Sequence, residues 1–136
     1  MEWMLMPLRR YAEFTGRSRR KEYWMFALGI TIVYSILFIF LLGGIDFSTG
    51  GMGGLGMVST LLLVLLILII FIPALAVQVR RFHDQDKSGW FVLLNLVPYV
   101  GGLIVLVMMC LDGTPGANRF GPDPKAGERL APPETF

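Results

Sequence analysis

Charged side chains fall in four short stretches of this chain. Between them lie three uncharged, strongly apolar runs: Tyr23 to Ile45, Phe47 to Val79 and Ser88 to Leu111. A bilayer's hydrocarbon core takes about 20 helical residues at roughly 1.5 Å rise, so each run is long enough to cross one. The pattern predicts an all-α membrane protein with three transmembrane helices, over 23–42, 57–79 and 90–111. Ser18 is a candidate cap for the first helix, with Glu22 in its first turn and Tyr23 and Trp24 at aromatic-belt depth. Gly43 to Gly56 holds seven glycines, with Asp46 as its one charge, and predicts a flexible loop.

Proline interrupts two of the runs. Pro73 removes one hydrogen bond from the second helix, predicting a kink that frees the carbonyl of Ile69. Asn95 is costly to expose to lipid and is expected to point into the bundle, near that kink. Pro98 and Gly101-Gly102 break the third run, which reads as a kinked crossing or as a re-entrant pair of half-helices. A crossing is the expectation, because 22 residues are barely enough to enter and leave on one side. Pro73, Asn95, Pro98 and Gly101 are the candidate helix-packing residues, and Thr31 and Ser35 share a face suited to packing.

The two ends differ from the runs. Residues 1–22 form a basic segment whose helical wheel sets Glu2, Arg9, Arg10 and Glu13 against Trp3, Met4, Leu8, Tyr11 and Phe14, as in a short amphipathic helix lying in the membrane interface. Pro7 is expected in its first turn. Residues 112–136 are rich in Pro and Gly and predict an extended tail.

Composition agrees with a single membrane domain. Of 136 residues, 54% are apolar and 16% charged, with a mean hydropathy of +0.63. A formal net charge of +2, with the basic groups tied to run boundaries, argues against a nucleic-acid surface and for anionic lipid head groups as counter-charge. Cys110 stands alone inside an apolar run, so no internal disulfide and no multi-cysteine metal site is expected, and with no phosphate-loop or metal-ligand motif in the chain no cofactor is expected. The run from Tyr23 is too long for a signal-peptide core and is expected to stay in the mature protein. Six basic residues precede the first run, none lies in the glycine loop, three lie between Arg80 and Gly89, and three lie in the tail. That distribution predicts a cytoplasmic N-terminus, an outward glycine loop and an inward second loop.

Chemistry concentrates in two clusters. Arg80-Arg81-Phe82-His83-Asp84 sits beyond the second run, and Arg17, Arg19, Arg20 and Lys21 precede the first. Arg17 or Arg20 is expected to pair with Asp84, and Glu22 with Arg80 or Arg81, giving one cytoplasmic polar layer of Arg17, Arg20, Glu22, Arg80, Arg81, His83 and Asp84. An arginine left over would bind a lipid phosphate or a partner. His83 beside Asp84 is a weak signal for proton transfer or metal binding, since no second His or thiolate lies near. The runs hold no ionisable carboxylate, amine or imidazole of the kind ion-coupled transport needs at mid-membrane. The leading expectation is a non-enzymatic component binding lipids, another membrane protein or a second copy. A pore or permease subunit is the alternative, and a lipid head-group enzyme a lesser one.

Taken together, Phe14, Gly16-Arg17, Arg20, Glu22-Tyr23-Trp24, Pro73, Arg80-Arg81, His83-Asp84, Ser88-Gly89-Trp90, Pro98, Gly101, Gly116, Asn118-Arg119 and Phe120-Gly121-Pro122 resemble a bacterial inner-membrane family, domain of unknown function 805. The resemblance covers nearly the whole chain and implies a multi-spanning membrane protein. It implies no activity.

Overall fold

The computed structural model describes residues 2–130. In chain order they form α1 (Glu2–Arg9), α2 (Arg20–Gly43), strands β1 (Ile45–Asp46) and β2 (Gly51–Met52), α3 (Gly54–Asp84), a 3₁₀ helix (Gly89–Leu96), α4 (Gly101–Cys110) and α5 (Ala126–Leu130). Two helices, α2 and α3, are long and apolar enough to cross a membrane. Only 6% of the most apolar stretch of α2 and 22% of that of α3 is buried, so neither is the core helix of a soluble bundle. Their outward Leu, Ile, Val and Phe side chains suit lipid rather than water.

The two long helices pack through Phe26 of α2 and Ile70 and Val77 of α3, with Tyr23, Ile30, Leu66 and Ala74 around them. Thr31, Ser35, Ser59 and Thr60 each donate to the carbonyl four residues back in their own helix. The hydroxyls are thus satisfied without a neighbour. Thr31 and Ser35 are exposed, which corrects the expectation that they pack helices. At the far end a Cβ on Gly44 would collide with the backbone of Gly56, so glycine lets the chains meet there. The Gly43 to Gly56 segment is correspondingly a tight β1–β2 hairpin rather than a loose loop, pairing Ile45 with Met52 and Asp46 with Gly51.

The third apolar run is not one helix, which corrects the expected 90–111 crossing. A 3₁₀ helix capped by Ser88 ends at Leu96, the chain turns through Val97 to Val100 with Tyr99 at a φ of 67°, and α4 returns. A Cβ on Gly101 would strike the carbonyl of Leu94, so glycine lets the two limbs touch. Phe82, Val105 and Met109 form the core against which they fold, joined by Tyr23, Val92 and Leu94. At about 2.0 Å per residue for the 3₁₀ limb and about 1.5 Å for α4, each limb spans roughly half of a hydrocarbon core of about 30 Å. Pro98 and Gly101 therefore mark a reversal of direction.

Near the N-terminus, α1 is shorter than expected, and Pro7 lies buried in its second half rather than its first turn. Met4 packs on Gly29, where a Cβ would meet the Met4 methyl. Met4, Leu5 and Leu8 wall an apolar cavity of about 260 Å³ with Phe26, Ile30, Val33, Leu66 and Ile70. The helix leans on the apolar flank of α2. From Asp112 the chain folds back over the ends of α2 and α3 and closes a turn between Asn118 and Gly121. This corrects the extended tail, as far as Leu130; residues 131–136 lie outside the described part.

Candidate functional site

The site is assembled where α2 begins and α3 ends. Helix α3 runs on to Asp84, so Arg80, Arg81, His83 and Asp84 lie on its last turns rather than in a loop. Basic groups at a helix C-terminus complement its dipole. Arg17, in the extended turn before α2, places Nε 3.0 Å and Nη2 2.9 Å from the same oxygen of Asp84. Its two Nη atoms also donate to the carbonyls of Gly116 and Thr114, each at 2.7 Å. Arg81 pairs with the other Asp84 oxygen and donates to the carbonyl of Leu111. Arg80 lies 3.3 Å from Glu22 through Nη2 and 3.9 Å from Glu13 through Nη1.

These groups are deeply buried. Side-chain exposure is 0% for Arg80 and Arg81, 2% for Arg17, 3% for Glu22 and 5% for Asp84. Three guanidinium groups thus share two buried carboxylates. Backbone dipoles of Gly116, Thr114 and Leu111 supply much of the remaining negative potential. Arg80 Nε and Nη1, Arg81 Nε and Ser18 Oγ have no hydrogen-bond partner among the described residues. The tail is tied in further by Thr114, whose amide donates to the Asp84 carbonyl at 2.8 Å, and by Asn118, which donates to the His83 carbonyl at 2.9 Å.

His83 and Asp84 do not form a dyad. The Asp84 carboxylate is taken by Arg17 and Arg81, while His83 Nδ1 lies 3.2 Å from the Gly16 carbonyl and its ring stacks on Phe120 at 3.9 Å. Such a bond to a carbonyl requires the proton on Nδ1. No three His, Cys, Asp or Glu side chains come together among the described residues as a metal site would require.

Other expected contacts are redistributed. Arg20 does not reach Asp84; it is exposed, donates to the Cys110 carbonyl at 2.9 Å and lies 3.4 Å from Asp112. The Asp112 carboxyl is held below its ordinary value chiefly by its hydrogen bond to Lys125, and then by the charges of Lys125 and Arg20. Asn95 is exposed and donates to Gln78 at 2.9 Å, which corrects its expected bond to a carbonyl at the Pro73 kink. Tyr11 takes that role, donating to Ile69 at 2.6 Å. Sequence reasoning did not assign Tyr11, Gly113, Thr114 or Gln78 to these contacts. Asn118 and Gly116 carried a signal only as residues of the family resemblance.

Two long apolar helices, a folded-back third run and a clasp of arginines define a helical membrane protein closed at one end by charge. The chain belongs to the family of proteins of unknown function DUF805, matched over residues 11–122. It is 49% identical over 125 residues to the inner membrane protein YhaH of Escherichia coli (strain K12), covering 92% of this chain and 98% of that one. Identity to the inner membrane protein YhaI of the same strain is 44% over 128 residues, covering 93% and 98%. No solved structure matches.

Proposed function

We propose that this is a non-enzymatic inner-membrane component with two crossings, whose buried arginine layer clasps the helix ends and whose rim binds anionic lipid head groups. The observation that carries the reading is that both ends of the folded-back segment return to the arginine layer: Gly89 follows it, and Arg20 and Arg81 hold the carbonyls of Cys110 and Leu111. N-terminal segment, second loop and tail then share one side. All 12 basic residues lie in those three parts and none in the glycine hairpin, the distribution expected when that side is cytoplasmic. The relatives' names place them in the inner membrane.

Burial assigns different work to different arginines. Arg17, Arg80 and Arg81 are consumed inside, so phosphate binding falls to the rim. There Lys21 stands 5.5 Å from the Trp3 ring centre and Arg9 is exposed at the end of α1, while Arg19, 5.4 Å from the same ring, is held by Glu128 and the Pro124 carbonyl. An aromatic ring flanked by cations at a helix start suits the head-group region. The test has two arms. Impermeant thiol labelling should reach cysteines at Ser88 and Ala117 from one side and at Ser48 from the other. Native mass spectrometry should show retained phosphatidylglycerol, lost in Arg9→Ala/Lys21→Ala. Labelling of residues 88 and 117 from opposite sides, or retention unchanged in the variant, would sink the respective arm.

A further inference from the structure

We infer that the protein is a wedge that fits a bilayer whose cytoplasmic leaflet is expanded by curvature, a reading that rests on the two-crossing topology above. The apolar mass is divided unequally between the two halves of the membrane. Beyond the region of α1, α2 and α3 are the only helices among the described residues, and their side chains from Ile36 to Leu42 and from Leu55 to Leu65 are mostly exposed. Toward the arginine layer three further helical segments join them. Helix α1 rests on Gly29, nine residues from the start of α2, or about 14 Å along its axis.

The 3₁₀ limb and α4 start and end at the layer and reach no further than about half the core. These added segments are not packed away inside the chain. Trp90 is 75% exposed, Leu96 78%, Leu103 62% and Tyr99 at the tip fully so, and no charge lies between Ser88 and Leu111. Lipid tails accommodate such a surface, and its freedom from charge suits the hydrocarbon core. Each segment is about 10 Å wide, so it displaces acyl chains from the cytoplasmic leaflet with no counterpart opposite. A leaflet stretched by outward bending has room for that excess, and a flat or compressed one has less.

Full-length protein carrying Ser88→Cys and Cys110→Ala is reconstituted in phosphatidylcholine with a minority of phosphatidylglycerol, as small sonicated and as large extruded vesicles. An impermeant maleimide, applied before and after lysis, reads the fraction with residue 88 outward. That fraction should be higher in the small vesicles by about twofold or more, because their outer leaflet is the expanded one. Leu96→Lys and Leu103→Lys place a charge on the exposed hairpin, lift it toward the head groups and should remove most of the size dependence. Leu5→Lys on α1 makes the same test where a hairpin variant fails to fold in detergent. Equal fractions at both sizes, or a bias unchanged in every lysine variant, overturns the wedge. A parallel Ala117→Cys sample separates the two claims: opposite labelling of residues 88 and 117 defeats the topology, while size independence with both on one side defeats only the wedge.

Discussion

Tyr11 donates its hydroxyl to the carbonyl oxygen of Ile69 at 2.6 Å, the group that Pro73 leaves without a donor in its own helix. The residues are 58 positions apart, and the bond pins the turn after α1 to the flank of α3. A carbonyl orphaned among apolar side chains is costly, so the kink and the tyrosine form one device.

Tyr11→Phe should therefore destabilise the protein in detergent by about 1 kcal/mol. In a Pro73→Ala background, where the restored amide can serve Ile69, the same change should cost clearly less. Thermal unfolding of the four proteins in this cycle checks the coupling, and additive effects would disconnect tyrosine from kink.

Asp84 holds two buried guanidinium groups at once. Asp84→Asn leaves Arg17 and Arg81 without their shared counter-charge and should cost about 3–5 kcal/mol or abolish folding. Asp84→Ala should likewise destabilise far more than Asp46→Ala, which removes bonds confined to one exposed turn. Unfolding midpoints in one detergent compare them, and similar losses would deny the clasp its structural role.

Gly113 tests the same layer from the tail. A Cβ built there would land on the Asp84 carboxylate, whereas one on Gly102 meets nothing within 4 Å. Gly113→Ala should lower the unfolding temperature markedly and loosen the tail to limited proteolysis, while Gly102→Ala should change neither. A fully tolerated Gly113→Ala would mean the tail does not close over Asp84.

Charge and position narrowed the partners inside the layer to Arg17 or Arg20 for Asp84 and Arg80 or Arg81 for Glu22; the fold selects Arg17 and Arg80 and gives Arg81 to Asp84 as well. The tail's contribution was not readable. It works mainly through the carbonyls of Leu111, Thr114 and Gly116, and every residue has a carbonyl. The direction of the third run was hidden for a similar reason. An apolar 22-residue segment has the same hydropathy whether it crosses or returns, and Pro98 and Gly101 announce a break without its angle. Arg20 was misplaced because its three neighbouring basic residues offered equal reach, and only the helix phase of α2 turns it outward.

The glycine hairpin at the opposite end carries its own titration. Asp46 accepts hydrogen bonds from the amide of Ser48 at 2.9 Å, the hydroxyl of Ser48 at 2.6 Å and that of Thr49 at 2.8 Å. All three favour the charged carboxylate, with the Ser48 hydroxyl the largest influence, and they lower its pKa from 3.8 to about 2. A depressed carboxyl pKa means that the unfolded turn binds its proton first as pH falls. The stabilisation is therefore complete above the unfolded value and is lost as pH drops from 3.8 toward about 2. Asp46 is fully exposed, so the effect should be confined to the turn and should leave the arginine layer intact. Carboxyl NMR of the protein in detergent should show Asp46 titrating well below an ordinary aspartate. In Asp46→Asn, hydrogen exchange at the Ser48 and Gly50 amides should lose its acid dependence over that window. Titration at the ordinary value would show that the turn does not hold its three bonds in the membrane-mimetic state.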